Sequence, residues 1–538
     1  MTVSTPTRMN AAERAAEQAR DVRDAGDVRR TRHAASVARL RVSAAALAAL
    51  FASACSWGPD GTPPAMPQPA HYGAEPQPAQ TVAAQGVAQH FEVGAQPVPQ
   101  WWTLYDSPQL DALVEEGLAN SPNLVAADHS LQAAKEQLRG QVGSSMLPTV
   151  DALGTAQRQR LPGIPQLGID KLQYDVFAGL VEVRYSFDLF GATRLSNAAL
   201  ASRVNMQVFQ LEQARRALAA NIVASALGAA TLHAQIDTTE QLIALANAQA
   251  DEMQKRYALG AVARTDQLSA QQSAASLATN LPGLRQQWTA QRHALAVLLG
   301  RTPDNAPPDL DLASLHLPQQ VPVVVPSELL KTRPDIEAAS AALVAASADV
   351  GAATAQMYPS ITLSAGLGQA GFSWPMVTSG VGALWAIGAS LTQPIFHGGA
   401  LVAQRRAALQ SYDAANASYK QTVLAAFQDV ADRLAALEHD AQALDAATTS
   451  AQAAQGVYDD THARYKLGAL PYYAVRQSEQ QWRNARLDEI RYRGTRLSDT
   501  AALFQAMGTP PLANPVSSSN AAATAASPAS SSATSSSD

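Results

Sequence analysis

Arg464-Tyr465-Lys466-Leu467-Gly468-Ala469 occurs twice in this chain: Arg256-Tyr257-Ala258-Leu259-Gly260-Ala261 is the same hexapeptide with one change, 208 residues earlier. Each copy follows a long proline-free segment and precedes a second helical segment. A glycine just past the last periodic residue stops a helix and turns its chain back. Both hexapeptides therefore read as tips of helical hairpins, carried by two copies of the same machinery.

The repetition extends beyond the tips. Pro122 in Ser-Pro-Asn-Leu answers to Pro334 in Arg-Pro-Asp-Ile, an offset of 212, and Pro148 answers to Pro359, an offset of 211. Phe190 before Gly191 answers to Phe396 before His397-Gly398-Gly399, an offset of 206. Anchors that keep their order at nearly constant offset indicate an internal duplication. The 538 residues thus form one elongated body of two similar halves, rather than the roughly three domains that length alone suggests.

Aromatics make up only 6% of the chain and alanine is abundant, which suits close-packed long helices better than a bulky core. The single cysteine excludes an intrachain disulfide and a cysteine-based metal cluster. The net charge is −6 with no basic block outside the N-terminus, so nucleic acid is not an expected partner.

Residues 1–41 are polar and arginine-rich, and the uncharged run 42–54 ends at Cys55. That order describes a secretory signal, with an apolar run too short to span a bilayer. A cysteine at the cut resembles the bacterial lipoprotein signal, in which the thiol is acylated, by palmitate among other chains. Here Ala52 stands where that signal favours leucine. The plainer alternative is an inert core cysteine. The chain divides into a signal peptide (1–54), a lipid-anchored Pro-rich linker (55–100), a first repeat (101–310), a second repeat (311–510) and a disordered Ser/Ala-rich tail (511–538). The linker is read as extended, with little capacity to form a core. Trp101-Trp102 marks the start of packed structure, as a core anchor.

Helical patterning runs from Ser107 to Met146, broken at Asn120-Ser121-Pro122. A strand is expected over Thr149–Arg160, a loop at Leu161-Pro162-Gly163-Ile164-Pro165, and a strand over Leu180–Phe187. In the latter, Val181, Val183, Tyr185 and Phe187 share one face, and Glu182, Arg184 and Ser186 the other. A transmembrane barrel strand needs that alternation, although any half-buried antiparallel strand shows it too. Proline is absent from Gly191 to Leu259, enough for a helix of about 100 Å, and a return helix over Ala263–Leu299 is interrupted at Pro282-Gly283. The second half repeats this plan: a helix over 327–357 capped by Pro326-Ser327-Glu328, strands Ser360–Gln369 and Leu384–Phe396, a long helix over Gly399–Leu467, and a return helix from Tyr472 to Met507. The seam of the long helix is Tyr412, Ala415, Tyr419, Val423, Phe427, Val430, Leu434 and Leu437, with coiled-coil spacing.

One motif invites an enzymatic reading. Gly366-Leu367-Gly368-Gln369-Ala370-Gly371 fits the dinucleotide-binding pattern, but Phe372-Ser373-Trp374-Pro375 follows, with no helix N-terminus to hold a pyrophosphate. A hairpin turn explains it better. The histidines form no zinc-type pair. Neither an enzyme, nor a cofactor, nor a bound metal is expected.

Four strands cannot close a barrel, and an open edge cannot sit in lipid. If the strands are in a membrane, several copies must share one barrel. The residues themselves indicate an α+β, internally duplicated chain of long helices and four candidate strands; the family resemblance set out next implies that these form a long helical periplasmic barrel and a transmembrane β-barrel shared between chains.

The chain resembles the TolC/OprM-type outer-membrane efflux factors, in their lipoprotein branch. The resemblance rests on Pro326-Ser327-Glu328-Leu329-Leu330-Lys331-Thr332-Arg333-Pro334-Asp335-Ile336, Gln393-Pro394-Ile395-Phe396-His397-Gly398-Gly399, Ala426-Phe427-Gln428-Asp429-Val430, the two tips, and Leu503-Phe504-Gln505-Ala506-Met507-Gly508. It implies a homotrimer, a passive duct in the outer membrane extending into the periplasm and anchored in outer-membrane lipid. Its partners are then a periplasmic adaptor (membrane fusion) protein and an inner-membrane transporter of the RND type, and its cargo small toxic compounds or drugs. It further implies adaptor docking beside Arg256, Tyr257, Gly260, Arg464, Tyr465 and Gly468. A constriction follows at Asp266, with Ala474 and Gln477 standing where relatives often carry aspartate. The rival expectation is a periplasmic coiled-coil structural lipoprotein without a pore.

Overall fold

The computed structural model describes residues 58–73, 76–164 and 169–508. The signal peptide, Cys55 and the 511–538 tail lie outside the described residues. In chain order the elements are β1 (His90–Val93), a 3-10 turn (Trp101–Tyr105), α1 (Pro108–Asn120), α2 (Pro122–Met146), β2 (Thr149–Ile164), β3 (Ile169–Phe187), α3 (Ala192–Ala258), α4 (Arg264–Ala278) and α5 (Leu281–Leu298). The second half follows with β4 (Gln320–Val323), α6 (Pro326–Thr332), α7 (Pro334–Ala355), β5 (Ser360–Gly371), α8 (Trp374–Thr378), β6 (Ala383–Thr392), α9 (Ala400–Lys466) and α10 (Tyr472–Met507).

The duplication is explicit in the backbone. The two long helices α3 and α9 have 67 residues each, begin after Gly191 and Gly399, and are offset by 208 throughout. Both glycines cap with positive φ, 81° and 82°, a conformation that costs other residues strain. Gly191 therefore pairs with Gly399, and the Phe190–Phe396 alignment slips by two residues. At the start of α3 the Asp188 carboxylate accepts from the backbone N–H groups of Thr193 (3.1 Å) and Arg194 (2.8 Å), satisfying donors that a helix start leaves open. At 1.5 Å per residue each long helix spans about 100 Å. α3 and α7 are apolar enough on composition to cross a membrane, yet 56% and 50% of their most apolar windows are buried inside the chain. They are core helices of the bundle.

Four strands form one antiparallel sheet in the order β2-β3-β5-β6, so the two repeats join where β3 meets β5. The register aligns Ala152, Val181, Leu367 and Trp385 in one row, and Val150, Val183, Ala365 and Ile387 in the next. Between them lies the row Asp151, Glu182, Gly366 and Ala386, on the opposite face. β2 and β3 run longer than expected: Leu161, Pro162 and Ile164 pair with β3 instead of forming a loop. β6 in turn stops at Thr392, short of the expected Phe396.

The glycine-rich motif is strand, not turn. Gly368 faces β3 so closely that a Cβ would lie 2.2 Å from the Gly179 carbonyl oxygen. Gly371 ends the strand against Met376 of α8, a single helical turn. The cap expected from Ser327 is also absent: Val325 occupies the N-cap and Pro326 the first helical position, where its missing N–H costs nothing.

The core sits at the waist, where α1, α2, α5, α6 and the middles of α3 and α9 surround the last turns of α10. Trp101 stacks on Phe504 at 5.5 Å between centroids, as befits a core anchor. Of the α9 seam, Tyr419, Val423, Val430, Leu434 and Leu437 are buried, while Tyr412, Ala415 and Phe427 are partly so. Each fully buried leucine contributes about 1.5–3 kcal/mol relative to exposure.

The Pro-rich segment departs most from expectation. β1 pairs in parallel with β4, and Phe91, Thr81 and Gln89 are buried. Arg496 of α10, 2% exposed, donates to the Gln89 side chain (3.3 Å), the Thr81 hydroxyl (3.2 Å) and the Val87 carbonyl (3.2 Å). Burial pushes its guanidinium down to about 10, against the attraction of Asp440. The Tyr72 hydroxyl donates to the Val324 carbonyl at 2.6 Å. Extended proline-rich chain docks where a folded body supplies side chains to satisfy its backbone, and those side chains lie hundreds of residues away.

Candidate functional site

The sheet is the first functional surface. Its odd rows on β3 present Val181, Val183, Tyr185 and Phe187, continued across β5 and β6 by Leu367, Leu363, Trp385, Ile387 and Leu391. Many of these are exposed, with Trp385 at 76% and Ile387 at 78%. The opposite face carries Asp151, Glu182, Arg184, Ser364 and Thr362, and an Arg184–Glu182 ion pair of 2.7 Å. Aromatic rings gather at both ends: Phe177 against Trp374 (5.7 Å) at the far end, Tyr185 against Phe187 (6.3 Å) near the helices. An apolar band between aromatic belts, with a polar reverse, is a wall between lipid and water.

The helical tips are the second. Each hexapeptide ends its helix in a Schellman motif: the Gly260 N–H bonds the Tyr257 carbonyl (2.9 Å) and the Ala261 N–H bonds that of Arg256 (2.8 Å). Gly468 and Ala469 do the same to Tyr465 and Arg464, at 2.9 Å each. Gly260 and Gly468 have φ of 71° and 78°, which explains the glycine in both copies. Leu259 and Leu467 project from the turns, 83% and 84% exposed.

The two tips are tied together asymmetrically. Arg256 donates to the Tyr465 hydroxyl at 3.0 Å with its guanidinium carbon 5.2 Å from the ring centroid, while Glu252 holds it from one turn back. The Tyr465 hydroxyl also reaches the Met253 sulfur at 3.7 Å. Tyr465 is partly buried, whereas its counterpart Tyr257 is exposed. Burial, more than the opposing Arg256 charge, pushes the Tyr465 phenol up, and the Asp266 carboxylate adds to that. Asp266 and Ala474 occupy the same third position of their return helices, both partly buried, and Gln477 one turn further is exposed.

Behind the tip lies a network that the sequence reading missed. Gln249 donates to the Tyr458 hydroxyl (3.2 Å) and accepts from that of Tyr472 (3.3 Å). His462 meets Tyr458 at 3.1 Å, and Trp482 stacks on the Tyr458 ring at 5.1 Å. Burial drives Tyr458 and Tyr472 up to about 12, so both stay protonated donors. Deeper still, Glu479 and Arg483 are 1% and 5% exposed and 3.6 Å apart, with unsatisfied nitrogens and oxygen. Desolvation outweighs their attraction, raising the carboxyl and lowering the guanidinium. The signal was available: Tyr458, Tyr465 and Tyr472 recur at seven-residue spacing.

The remaining motif residues form a clasp at the waist. Arg333 pairs with Asp335 (2.7 Å) and Asp429 (3.2 Å) and donates to the Ala506 carbonyl (2.7 Å). Arg216 donates to the Thr332 carbonyl at 2.9 Å. Gly508 has φ 66°, and a Cβ there would lie 2.9 Å from the Thr332 oxygen. These groups border a cavity of about 250 Å³ whose charges are mutually paired, so the clasp ties the start of the second repeat to its own end, with Arg216 as the link to the first repeat, rather than receiving a ligand.

Residues 113–301 and 325–509, well over half the chain, match the model of a family described as outer membrane efflux protein. The probable efflux pump outer membrane protein TtgC of Pseudomonas putida is 28% identical over 470 residues, covering 86% of this chain and 94% of the relative. Among solved structures, the outer membrane protein VceC of Vibrio cholerae matches with a TM-score of 0.71 at 26% identity, covering 77% of this chain and 99% of its own. The CmeC outer membrane channel of Campylobacter jejuni matches in fold with a TM-score of 0.74 at 20% identity, covering 87% and 98%.

Proposed function

This chain belongs to the outer membrane efflux protein family, and from that premise we propose that it is a passive homotrimeric duct, lipid-anchored through Cys55, with no catalysis of its own. It is the outer-membrane channel component of an efflux system, and its relatives are channels of efflux pumps rather than enzymes. The observation that carries the duct is the sheet: one face apolar, one polar, and β2 and β6 each with an edge that no strand among the described residues pairs. Lipid tolerates no open edge, so copies of the chain close on one another. Two copies would give eight strands, whose interior side chains fill; three give twelve and leave a passage.

The anchor is supported by where the N-terminal segment lies. Ser347 of α7 donates to the Pro59 carbonyl (2.6 Å) and Tyr412 of α9 to that of Asp60 (3.1 Å). α7 ends at Ala355, and β5 begins at Ser360. Cys55 stands three residues before Gly58, within about 11 Å of extended chain, and so within reach of the membrane surface at the base of the sheet. The exposed Leu259 and Leu467 suit an adaptor hairpin lying beside Arg256, Tyr257, Gly260, Arg464, Tyr465 and Gly468, which in turn brings an inner-membrane transporter of the RND type. With Ala474 and Gln477 uncharged, the acidic constriction rests on Asp266, one carboxylate per chain.

Conductance tests the duct. Purified oligomer added to a planar lipid bilayer is expected to give discrete single-channel steps. Oligomer that inserts and leaves the baseline flat overturns the duct in favour of a coiled-coil lipoprotein without a pore.

A further inference from the structure

The apolar face of the sheet changes character abruptly at the end far from the helices. On β2 its apolar row runs from Val150 to Ala156, and the next two residues on the same face are Arg158 and Arg160. On β3 the row runs from Phe187 to Phe177, which lies opposite Ala156, and Asp175 and Gln173 follow. Neither β5 nor β6 contains a charged residue. Between Val150 and Arg160, and between Gln173 and Phe187, the charges of this face are therefore Arg158, Arg160 and Asp175 alone.

Register fixes their height. β5 pairs with β3 from Phe187 only as far as Phe177, whereas β2 and β3 pair on to Ile164 and Ile169. The span from Phe177 to Phe187 is about 36 Å of strand, which a tilt of about 45° reduces to about 25 Å, the height of an outer-membrane apolar band. Arg158 and Arg160 lie about 7 and 13 Å along the strand beyond it, past the belt that Phe177 and Trp374 mark. A charge on the lipid side costs most at the midplane and little at this boundary. Arg158, its side chain 71% exposed, is steadied by Asp175 at 3.4 Å. Arg160 is exposed and has no ion pair or hydrogen bond among the described residues. A second copy joined at the β2 edge does not supply the missing anion, because Ala383–Thr392 of β6 holds no acidic residue. Nor does the duplication demand these cations: repeat two has Gln369 and Gly371 at the matching places, an offset of 211.

We propose that Arg158 and Arg160 form a binding site for the phosphorylated headgroup of an outer-leaflet glycolipid of the lipid A type, one site on each chain. Guanidinium groups suit that ligand, since their planar forks donate two parallel bonds to one phosphate. Alternate residues of a strand stand about 7 Å apart on one face, so the two side chains close on a phosphate from either side. Asp175 holds one edge of Arg158 and cancels one of the two positive charges, which leaves Arg160 to the headgroup. The occupant is a lipid rather than a free anion because the surface is itself amphiphilic. Directly below the cations, Ala156, Phe177 and Trp374 offer the acyl chains an apolar wall. This inference rests on the reading of the sheet as a wall against lipid, and names the lipid that the wall selects.

The test uses the full-length oligomer, extracted from outer membranes, washed free of lipid in detergent and weighed by native mass spectrometry. Lipid A carrying its phosphates is titrated against it, and lipid A stripped of phosphate in parallel. The wild type is expected to bind the phosphorylated form about tenfold more tightly, saturating at one tight adduct per chain. Arg158→Ser/Arg160→Ser should abolish that preference and leave binding of the dephosphorylated lipid unchanged. Arg139→Ser, which removes an exposed arginine of α2, should keep the preference. Inorganic phosphate in excess should leave the lipid in place. Equal binding of the two lipids by the wild type overturns the site without recourse to any variant, and so does a double variant that retains the preference. Displacement by inorganic phosphate overturns the lipid as occupant. Each of these results on an intact oligomer leaves the duct standing, whereas a single-chain native mass removes the wall and the site together.

Discussion

Asp440 shows how a single side chain can carry a pH dependence invisible in sequence. It sits on α9 beside Asp499 of α10, and one of its oxygens is buried with no donor facing it. Two carboxyls in contact are satisfied only if one keeps a proton. Burial first, then the charge of Asp499 and a hydrogen bond to it, raise Asp440 from 3.8 to about 7. The folded chain therefore holds a proton that the unfolded chain sheds across that interval, and this group's contribution to stability falls as pH rises through it. Asp440→Asn keeps a donor toward Asp499 and abolishes the titration. Thermal melts of purified protein should show the wild type losing stability as pH climbs toward about 7 and the variant losing less, becoming the more stable above it. Equal slopes would show that the pair does not share a proton. Nothing in the local sequence announces this, since Asp440 and Asp499 lie on different helices. The tip residues were legible for the opposite reason: a helix stop needs only its own glycine, and Gly260 and Gly468 supply it.

Elements were legible where their signal is local. The seam of three- and four-residue spacings on α9, the proline break at Pro122, and the alternation on β3 each fix an element without knowledge of its neighbours, whereas the helix expected as continuous over 327–357 divides into α6 and α7 at Arg333, before Pro334. Misreadings arose where glycine or proline answers to a distant partner. Gly368 looked like a turn, yet it is small because β3 passes close to it. The Pro-rich segment looked free because Arg496, which holds it, lies near the end of the chain. Gly494 of α10 is a third such case: a Cβ there would lie 2.2 Å from the Thr231 hydroxyl and 2.5 Å from its methyl, on α3. Thr231 is stiff at its first torsion and bonded to the Leu227 carbonyl at 2.8 Å, so it cannot turn away cheaply. Gly494→Ala should cost about 1–3 kcal/mol in chemical unfolding. Gly456→Ala on α9, with nothing within 4 Å of the added carbon, should stabilise by about 0.5–1 kcal/mol. Similar effects from both would mean that α3 and α10 do not cross this closely.

At the scale of the whole molecule, the chain is incomplete by construction. Its sheet has an apolar face and two edges that no strand among the described residues pairs. An open edge is a deficit that further copies of the same chain remove. The need for partners was already readable from strand counting, because four strands cannot enclose anything. Which residues meet at the periplasmic end was not, because it depends on side chains brought together across 209 positions. The measurement that bears most directly on this is the native mass of the protein extracted gently from purified outer membranes, before and after heating. A species of about three chains that collapses to one on heating, in that membrane fraction, is the predicted result. A single chain in the membrane, or a soluble periplasmic pool, would contradict the shared barrel.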